Sequence, residues 1–370
     1  MTDAQEFFRE KKPWSRYKDL ILDYYLEPYL AKVATLRKPI LVVDCFAGAG
    51  QFDDLQPGSP LIISKRLEAV QSRGVEVLGF YIEKDPVLYD RLESNTKDLE
   101  IPVRTAPGDF REHIDEIAKL AQDRTVFVYL DPLRPSDLLF ADMESVYRQL
   151  ESGRSVEVLI NFMSTGFLRA ALGLSDHIFA ADILQTEHPL VLTWNAVAGG
   201  TYWQDIIFHG QTPDVDRIEQ LAKGYGERLR QWFTWIIHYP IRDNYEDKVP
   251  KYHLVFGSRH PDAIDLMNRA MVKARREFVG SQFVKGYLFP NPPEREVVDP
   301  AQIEKAVIST SQLVGRVKWK ELRVRATVAN PCMYNDSEFN GAIKRLIQRG
   351  TLKSDCTGKR IEDNAWVRSP

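Results

Sequence analysis

The sequence predicts an α/β fold with a mostly parallel sheet, followed by a small, basic C-terminal domain. Three observations support this prediction. Short apolar segments alternate with helical stretches between residues 39 and 162, two more apolar segments follow later, and a proline-rich stretch precedes a basic tail. Continuous apolar strands that alternate with helices are typical of a parallel sheet covered on both faces.

The predicted elements follow one another in a regular order. Apolar residues at helical spacing predict a first helix over Trp14–Leu36. Five strands follow, PILVVDC, VEVLGFYIE, IPVRTA, TVFVYLD and VEVLINF, with helices between them over Pro60–Ser72, Val87–Leu99, Phe110–Gln122 and Leu138–Glu151. FTWIIHYPI and YHLVFGS flank a polar turn and predict an antiparallel pair at one edge. Together these strands match the seven-stranded mixed sheet of the Rossmann-like class I methyltransferase fold.

The sequence divides into three predicted regions. The methyltransferase-like α/β domain spans residues 1–290, with an insertion at about 163–231 that either forms a lid or target-binding surface or fills out the fold. A linker at 291–308 overlaps the proline-rich LFPNPPEREVVDP. Residues 309–370 predict a winged-helix domain, with two helices, the turn NPCMYND between them and two short strands at the end. Asp336 or Ser337 would cap the second of these helices.

Composition narrows the class of protein. The 370 residues contain no apolar run of about 18, so no membrane-spanning helix is expected, and the charged N-terminus shows no export signal. The three cysteines, Cys45, Cys332 and Cys356, have neither disulfide-framework nor zinc-ligand spacing. We therefore expect a reduced, cytoplasmic protein without a bound metal.

Charge is unevenly distributed along the chain. Residues 309–370 carry 12 Lys and Arg against 6 Asp and Glu, whereas the remainder carries 37 against 46. A basic tail on an acidic body favours a phosphate-bearing partner at the tail. A merely solvated basic surface is the alternative.

A glycine turn follows the first strand in DCFAGAGQF. Open α/β sheets bind ligands at the carboxyl ends of their strands, and glycine allows a ligand to approach the backbone. The candidate cofactor-binding residues in this turn are Asp44, Phe46, Ala47, Gly48 and Gly50. Tight packing within the loop is the alternative, and the spacing differs from the dinucleotide G-x-G-x-x-G.

Acidic residues end the next two strands. Glu83 could accept hydrogen bonds from the two hydroxyls of a ribose, or it could be a surface acid paired with Lys84. Asp109 could hold an adenine amino group with Phe110 against the ring, and it could equally cap the following helix. In the segment between the first two strands, Ser59 is a candidate helix cap.

The fourth strand ends in YLDPLRPSD. In methyltransferases that modify base amino groups, the corresponding loop carries an acid or Asn, two prolines and an aromatic residue that stacks on the flipped base. Asp131 and Pro132 fit this pattern, whereas Leu133 and Arg134 depart from it. The candidate catalytic residues are Asp131, Pro132 and, at the end of the fifth strand, Asn161. A structural role for Asp131 is the alternative.

These motifs together resemble the three-Cys-motif partner protein (TcmP) family. The matching stretches are DCFAGAGQF with GSPLI, YIEKDP, GDF, FVYLDPL, VLINFM, YGERLRQW and YHLVFGSRHPDAIDLMNRAM, over roughly residues 15–280. The resemblance implies a class I S-adenosylmethionine-dependent methyltransferase fold and a cofactor pocket at the strand ends. It also implies a separate partner protein that carries three cysteines and itself resembles radical-type iron–sulfur enzymes. The family usually shows DPFG where this chain has DPLR.

The leading hypothesis is a methyltransferase-like enzyme that acts on nucleic acid, with DNA slightly favoured because of the winged helix. The second tail helix, Ser337–Arg349, would then enter the major groove and contact nucleic acid through Asn340, Lys344, Arg345 and Arg349. A protein-docking role for the tail is the alternative. A second hypothesis is a non-catalytic subunit that presents nucleic acid to the iron–sulfur partner, and a nicotinamide dehydrogenase is a weaker third.

Overall fold

The computed structural model describes residues 3–175, 188–209, 212–283, 299–355 and 363–369. The chain forms two compact units, Met1–Arg259 and His260–Pro370. The first unit ends before the boundary predicted at residue 290, because the helix Pro261–Phe283 groups with the C-terminal segment. Residues 291–298 of the predicted linker lie outside the described residues, and a helix begins at Pro300.

A seven-stranded sheet forms the centre of the first unit. Its strands are β1 (Ile40–Asp44), β2 (Val77–Glu83), β3 (Val103–Pro107), β4 (Thr125–Leu130), β5 (Val156–Phe162), β6 (Trp235–Ile241) and β7 (Tyr252–Ser258). The strand order is β3-β2-β1-β4-β5-β7-β6. The first five strands are parallel, and β7 runs antiparallel to both β5 and β6. This is the strand order of the class I methyltransferase fold, so the predicted seven-stranded mixed sheet is confirmed.

Helices cover both faces of this sheet. They are α1 (Asp3–Phe7), α2 (Pro13–Val33), α3 (Ser59–Gln71), α4 (Pro86–Thr96), α5 (Ile114–Leu120), α6 (Glu144–Tyr147), α7 (Ser164–Ser175), α8 (Pro189–Ala198), α9 (Tyr202–Gln204) and α10 (Asp214–Leu229). On one face, the ring of Tyr25 in α2 packs against Phe127 and Phe256. On the other face, valines of β1, β4 and β5 pack in one buried cluster with residues of α5, α7 and α10. Successive side chains of a strand point to opposite faces of the sheet, so each strand contributes apolar residues to both of these packed layers.

Two predicted details of these helices are wrong. The single helix predicted over Leu138–Glu151 is the short α6 followed by a 3₁₀ segment over Arg148–Ser152. Gly58 caps α3, so Ser59 is the first helical residue rather than the cap.

The insertion predicted at about 163–231 contributes to the core of the first unit where it is described. Phe167 of α7 and Leu221 of α10 are fully buried in the main cluster. Trp203 is also fully buried, and its indole nitrogen donates to Asn195 Oδ1 at 2.9 Å. For these residues the structure matches the interpretation in which the insertion fills out the fold; residues 176–187 and 210–211 lie outside the described residues.

The second unit contains four helices and a small antiparallel sheet. The helices are α11 (Pro261–Phe283), α12 (Pro300–Val314), α13 (Trp319–Ala329) and α14 (Asp336–Gln348), and the strands are β8 (Val317–Lys318), β9 (Lys353–Ser354) and β10 (Trp366–Arg368). The sheet order is β8-β10-β9. The unit has its own apolar core, in which Trp319, Phe339 and Val367 are buried.

The two predicted helices and two terminal strands of the tail are present, with one difference at a helix start. Asn335, rather than Asp336 or Ser337, caps α14: its side chain accepts from the Glu338 N–H at 2.9 Å, and Glu338 accepts from the Asn335 N–H at 2.7 Å. This capping box satisfies two of the N–H groups that a helix start leaves free.

Two further observations concern the described residues alone. None of their helices is long and apolar enough to cross a membrane. Cys45 and Cys332 are buried free thiols, and Cys356 lies outside the described residues.

Candidate functional site

A cleft of about 560 Å³, including the solvent at its mouth, lies where the first four strands end. Its walls are formed by Phe7, Phe8, Cys45, Phe46, Gly48, Glu83, Lys84, Leu88, Gly108, Asp109, Phe110, Asp131, Leu133 and Asp137. Because parallel strands end at the same edge of the sheet, residues far apart in the sequence meet here. Seven of the predicted site residues, from all four strand ends, line this cleft: Phe46, Gly48, Glu83, Lys84, Asp109, Phe110 and Asp131.

Asp44 ends β1 and is completely buried. Its Oδ1 accepts from the Phe46 N–H at 3.1 Å, and its Oδ2 has no hydrogen-bond partner within the described residues. Burial raises the pKa of Asp44 to about 7, although the Ser59 hydroxyl and the Phe46 N–H partly oppose that effect. A buried carboxylate with a free acceptor is costly unless a donor or cation compensates it.

The glycine turn adopts the conformation that its glycines permit. Gly48 and Gly50 have φ of 62° and 74°, in the left-handed region. A Cβ at Gly48 would lie 2.0 Å from the ring of Phe8, whereas one at Gly50 would lie 3.2 Å from Leu92. In this structure, therefore, the close neighbour of Gly48 is an aromatic side chain of the N-terminal segment. The sequence predicted a ligand at this position, and the approach of Phe8 was not anticipated.

Glu83 ends β2 and connects the glycine turn to the following helix. Its Oε2 accepts from the Gly48 N–H and its Oε1 from the Asp85 N–H, both at 2.7 Å. The side chain is 8% exposed and faces the cleft, and burial raises its pKa. Lys84 instead pairs with Asp137 at 3.0 Å. The alternative that Glu83 is a surface acid paired with Lys84 is therefore wrong.

Asp109 and Phe110 form the wall of the cleft beyond β3. Asp109 caps the 3₁₀ helix over Phe110–His113, since it accepts from the Arg111 N–H at 3.1 Å. The ring of Phe110 lies 5.1 Å from that of Phe46, and the guanidinium of Arg111 lies 5.1 Å from the Phe110 ring. Asp109 thus performs the predicted capping role while still lining the cleft.

Asp131 follows β4 and already has a partner on each oxygen. Oδ1 accepts from Asn161 Nδ2 at 2.7 Å, and Oδ2 forms an ion pair with Lys18. The two predicted catalytic residues Asp131 and Asn161 are thus in direct contact, and the buried Oδ1 of Asn161 has no partner among the described residues. Pro132 is buried, and Leu133, at 46% exposed, lines the cleft where the base-methylating pattern carries a second proline.

Lys18 is the main residue of the site that the sequence analysis missed. It lies in α2 and is buried. Burial alone would lower the pKa of Lys18, but the charges of Asp131 and Asp19 outweigh that effect, so its pKa is raised. One signal was available, because Lys18 occupies the apolar face of α2, between Tyr17 and Ile21. A lysine is rarely buried without a paired acid.

The predicted nucleic-acid contacts of the second unit are largely occupied within that unit. Asn340 Oδ1 accepts from the Trp319 indole at 2.9 Å and from Arg323 at 3.2 Å. Arg345 and Arg349 both pair with Glu304, at 2.6 and 2.8 Å. Lys344 is partly exposed and has no recorded ion pair among the described residues. Helix α14 therefore offers fewer unpaired polar groups for contacting nucleic acid than its sequence predicts.

Histidines do not form a metal centre in the part of the chain that is described. His253 is fully buried, with Nδ1 2.8 Å from the Ser164 hydroxyl and Nε2 2.9 Å from Glu219. Burial lowers the pKa of His253, and the hydrogen bonds from His238 and His253 lower that of Glu219. This cluster links α7, α10 and β7 inside the unit, and none of its residues lines the cleft.

Comparison with known proteins gives no close relative. No family profile matches the sequence, and no curated protein matches it. The three-Cys-motif partner resemblance therefore stays a prediction.

Several solved structures are distantly similar to this chain. A Staphylococcus aureus protein assigned as a caffeoyl-CoA O-methyltransferase is 9% identical over 63% of this chain and 82% of its own, with a TM-score of 0.29. A Porphyromonas gingivalis W83 protein assigned as a methyltransferase is 19% identical over 39% and 34%, with a TM-score of 0.22. Loganic acid methyltransferase with SAH is 10% identical over 70% and 98%, with a TM-score of 0.27. Values this low indicate nothing about the activity of this chain.

Proposed function

We propose that this protein is an S-adenosylmethionine-dependent methyltransferase that acts on nucleic acid, with DNA favoured over RNA. One observation carries the proposal: in a sheet of order β3-β2-β1-β4-β5-β7-β6, the carboxylate of Glu83 faces a cleft at the end of β2, beside the glycine turn. In such sheets a carboxylate at this strand end is placed to accept hydrogen bonds from ribose hydroxyls.

The residues of the cleft fit a cationic nucleoside. Glu83 supplies acceptors for hydroxyl groups, and the rings of Phe46 and Phe110 provide an apolar wall for a purine. Asp44 does not line the cleft itself, but it precedes Cys45 of the cleft wall, and its buried carboxylate would favour a positive ligand there. S-adenosylmethionine, when bound, supplies a methyl group activated by the positive charge of its sulfur.

The protein's own contribution to transfer would come from the residues after β4 and β5. An activated methyl group requires a correctly oriented nucleophile and an acceptor for its proton. Asp131 lines the cleft, and Lys18 and Asn161 fix its orientation. We assign to Asp131 the orientation of the target group. Asn161 acts only through its hydrogen bond to Asp131, and neither Asn161 nor Pro132 lines the cleft.

A non-catalytic scaffold is the second candidate, and the contacts of Asp131 favour it. Both of its oxygens already have partners, and Leu133 and Arg134 stand where a base-methylating loop carries a proline and a stacking ring. In this alternative the chain would present nucleic acid to a three-cysteine iron–sulfur protein. That partnership rests on the family resemblance alone.

The second unit supports a nucleic-acid target through its layout and charge. The order α12, β8, α13, α14, β9, β10 has the helices and the terminal strand pair of a winged helix. The basic balance of residues 309–370 agrees with a phosphate-bearing partner. We therefore assign this unit to target binding.

One experiment separates the two candidates. The purified full-length chain is incubated with S-adenosylmethionine labelled in its methyl group and with mixed-sequence DNA or RNA. We expect label on the nucleic acid, and we expect Asp131→Asn to remove that transfer while calorimetry still detects cofactor binding. Cofactor binding without transfer to either nucleic acid would support the scaffold instead. A chain that binds no S-adenosylmethionine would refute the enzyme.

A further inference from the structure

The small sheet of the second unit carries a cluster of cations on one face. In β10, Val367 is 1% exposed, whereas its neighbours Trp366 and Arg368 are exposed. Trp366 is directly opposite Lys318 of β8, and Arg368 is directly opposite Lys353 of β9. Directly opposed residues of neighbouring strands lie on the same face. All four side chains therefore share the outer face of the sheet.

Arg316 completes this face. It precedes β8 by one residue and shares the orientation of Lys318, and its guanidinium lies 4.8 Å from the centre of the Trp366 ring. We call Arg316, Lys318, Lys353, Trp366 and Arg368 the outer-sheet patch. A shallow pocket is lined by Arg316, Lys353 and Arg368 together with Trp366, Ser354, Asp355 and Val367.

The outer-sheet patch keeps a net positive charge, because Asp355 is the one acid that lines the shallow pocket beside its cations within the described residues. No ion pair is recorded there for its two lysines and two arginines. The nearby Asp355 accepts from the Trp366 N–H at 2.8 Å, and Asp363 pairs with Arg323 at 3.1 Å. Four clustered cations repel one another unless an anionic partner is present. This contrasts with α14, where Glu304 pairs with both Arg345 and Arg349.

We propose that the outer-sheet patch binds a nucleic-acid strand, with its phosphates on the four cations and an unpaired base on the Trp366–Arg316 stack. This deepens the proposed function, because it rests on a nucleic-acid target and moves the contact from α14 to the small sheet. Both the cations and the indole are needed for this binding. Cations alone bind any polyanion, whereas an exposed indole backed by a guanidinium provides a surface on which a base stacks.

The first test removes charge. The full-length chain is titrated with labelled single-stranded and duplex oligonucleotides by fluorescence anisotropy, without S-adenosylmethionine, over a range of salt concentrations. The double variant Lys353→Gln/Arg368→Gln should weaken single-strand binding by about tenfold or more and reduce the salt slope by about 1.5. The matched variant Lys305→Gln/Lys344→Gln removes the same charge from exposed or partly exposed positions of α12 and α14. It should change the affinity by less than about twofold.

The second test addresses the base. Trp366→Leu should weaken single-strand binding by about tenfold and duplex binding much less, since stacking requires an unpaired base. Trp366→Phe keeps a ring and should recover most of the affinity. Circular dichroism of each variant identifies loss of folding, and the phenylalanine variant keeps the test valid if the leucine variant unfolds.

Several results would overturn the proposal. One is a loss of single-strand affinity in Lys305→Gln/Lys344→Gln that equals or exceeds the loss in Lys353→Gln/Arg368→Gln. The others are an unchanged affinity in Trp366→Leu, and competition by polyglutamate that is as effective as competition by oligonucleotide. Failure of the enzyme proposal is separate. If the chain binds the oligonucleotide through the outer-sheet patch but binds no S-adenosylmethionine, the methyltransferase proposal is refuted and the nucleic-acid-binding proposal for the patch is not.

Discussion

Glu83 shows how one side chain can serve both the fold and a ligand. Its two oxygens accept the N–H groups of Gly48 and Asp85, so it fixes the glycine turn against the start of α4. Each carboxylate oxygen has two lone pairs, so two acceptor positions remain for the cleft. Glu83 therefore stabilises the fold locally and also fits the proposed role of accepting hydrogen bonds from ribose hydroxyls.

Replacement of Glu83 tests that second role. Glu83→Gln keeps one acceptor and should weaken S-adenosylmethionine binding in calorimetry by about tenfold, as expected for a lost charged hydrogen bond of ~1.5–3 kcal/mol. Glu93→Ala, an exposed acid on α4, is the matched control and should bind normally. An affinity that is the same in Glu83→Gln and the unaltered chain would remove Glu83 from the site.

The raised pKa of Asp44 makes a pH prediction. With a pKa of about 7, the carboxyl is mostly protonated in mild acid and ionises as the pH rises through neutrality. A sulfonium cation favours the ionised form, whereas S-adenosylhomocysteine lacks that charge. The ratio of the two affinities should therefore shift toward S-adenosylmethionine between about pH 6 and about pH 8. Calorimetry should show a flat ratio in Asp44→Asn; a flat ratio in the unaltered chain would contradict the prediction.

At the scale of elements, side chains of α2 contact the candidate catalytic residue Asp131 and the strand beside it. Lys18 reaches Asp131 at the end of β4, and Tyr25 donates to Glu157 of β5. Both contacts join residues more than 100 positions apart in the sequence. The helix therefore positions the end of β4 as well as covering the sheet.

A double-mutant cycle measures the coupling free energy of the Lys18–Asp131 ion pair. Lys18→Met leaves Asp131 partly buried without its cation and should lower the free energy of unfolding by on the order of 3 kcal/mol. Adding Asp131→Asn removes the unpaired charge, so the double variant should be less destabilised than the sum of the two single changes. Urea unfolding provides the measurement, and strict additivity would show that the pair contributes no coupling.

The contact of Phe8, the residue directly after α1, with the glycine turn makes a kinetic prediction. Phe8 is 9% exposed and packs with Ala49, Phe52 and Leu88, directly against Gly48. A ligand that lies over Gly48 needs the space of this ring. Phe8→Ala should therefore increase the association rate of S-adenosylmethionine several-fold in stopped-flow experiments. Glu6→Ala, at an exposed position of α1, is the neighbouring control. An unchanged or slower rate in Phe8→Ala would show that the ring is no obstacle.

At the scale of the whole molecule, the sequence predicted the sheet and most strand-end acids. Each strand is a short apolar run, and acids such as Asp44, Glu83 and Asp131 stand out where the runs end. The partners of these acids could not be predicted, because Lys18 and Phe8 reach the cleft through tertiary packing. Local patterns also failed where a helix breaks within 138–151, since propensity alone does not fix helix ends.

Two buried carboxyls predict an unusual pH dependence of stability. Burial raises the pKa of Glu157 and that of Asp44 to about 7. The folded chain therefore holds protons that the unfolded chain releases, so the free energy of unfolding falls as the pH rises from about 4 to above 7. Glu157→Gln should flatten this decrease by on the order of 3 kcal/mol in urea unfolding at several pH values. A decrease of the same size in both chains would exclude Glu157 as its source.

The packing of Phe8 against Gly48 has a practical consequence for purification of this protein. Because Phe7 of the first helix lines the cleft, an affinity tag fused ahead of that helix adds bulk beside the cleft. Weak or absent cofactor binding by such a fusion would then report on the tag. A cleavable tag, removed before calorimetry, keeps the two effects apart.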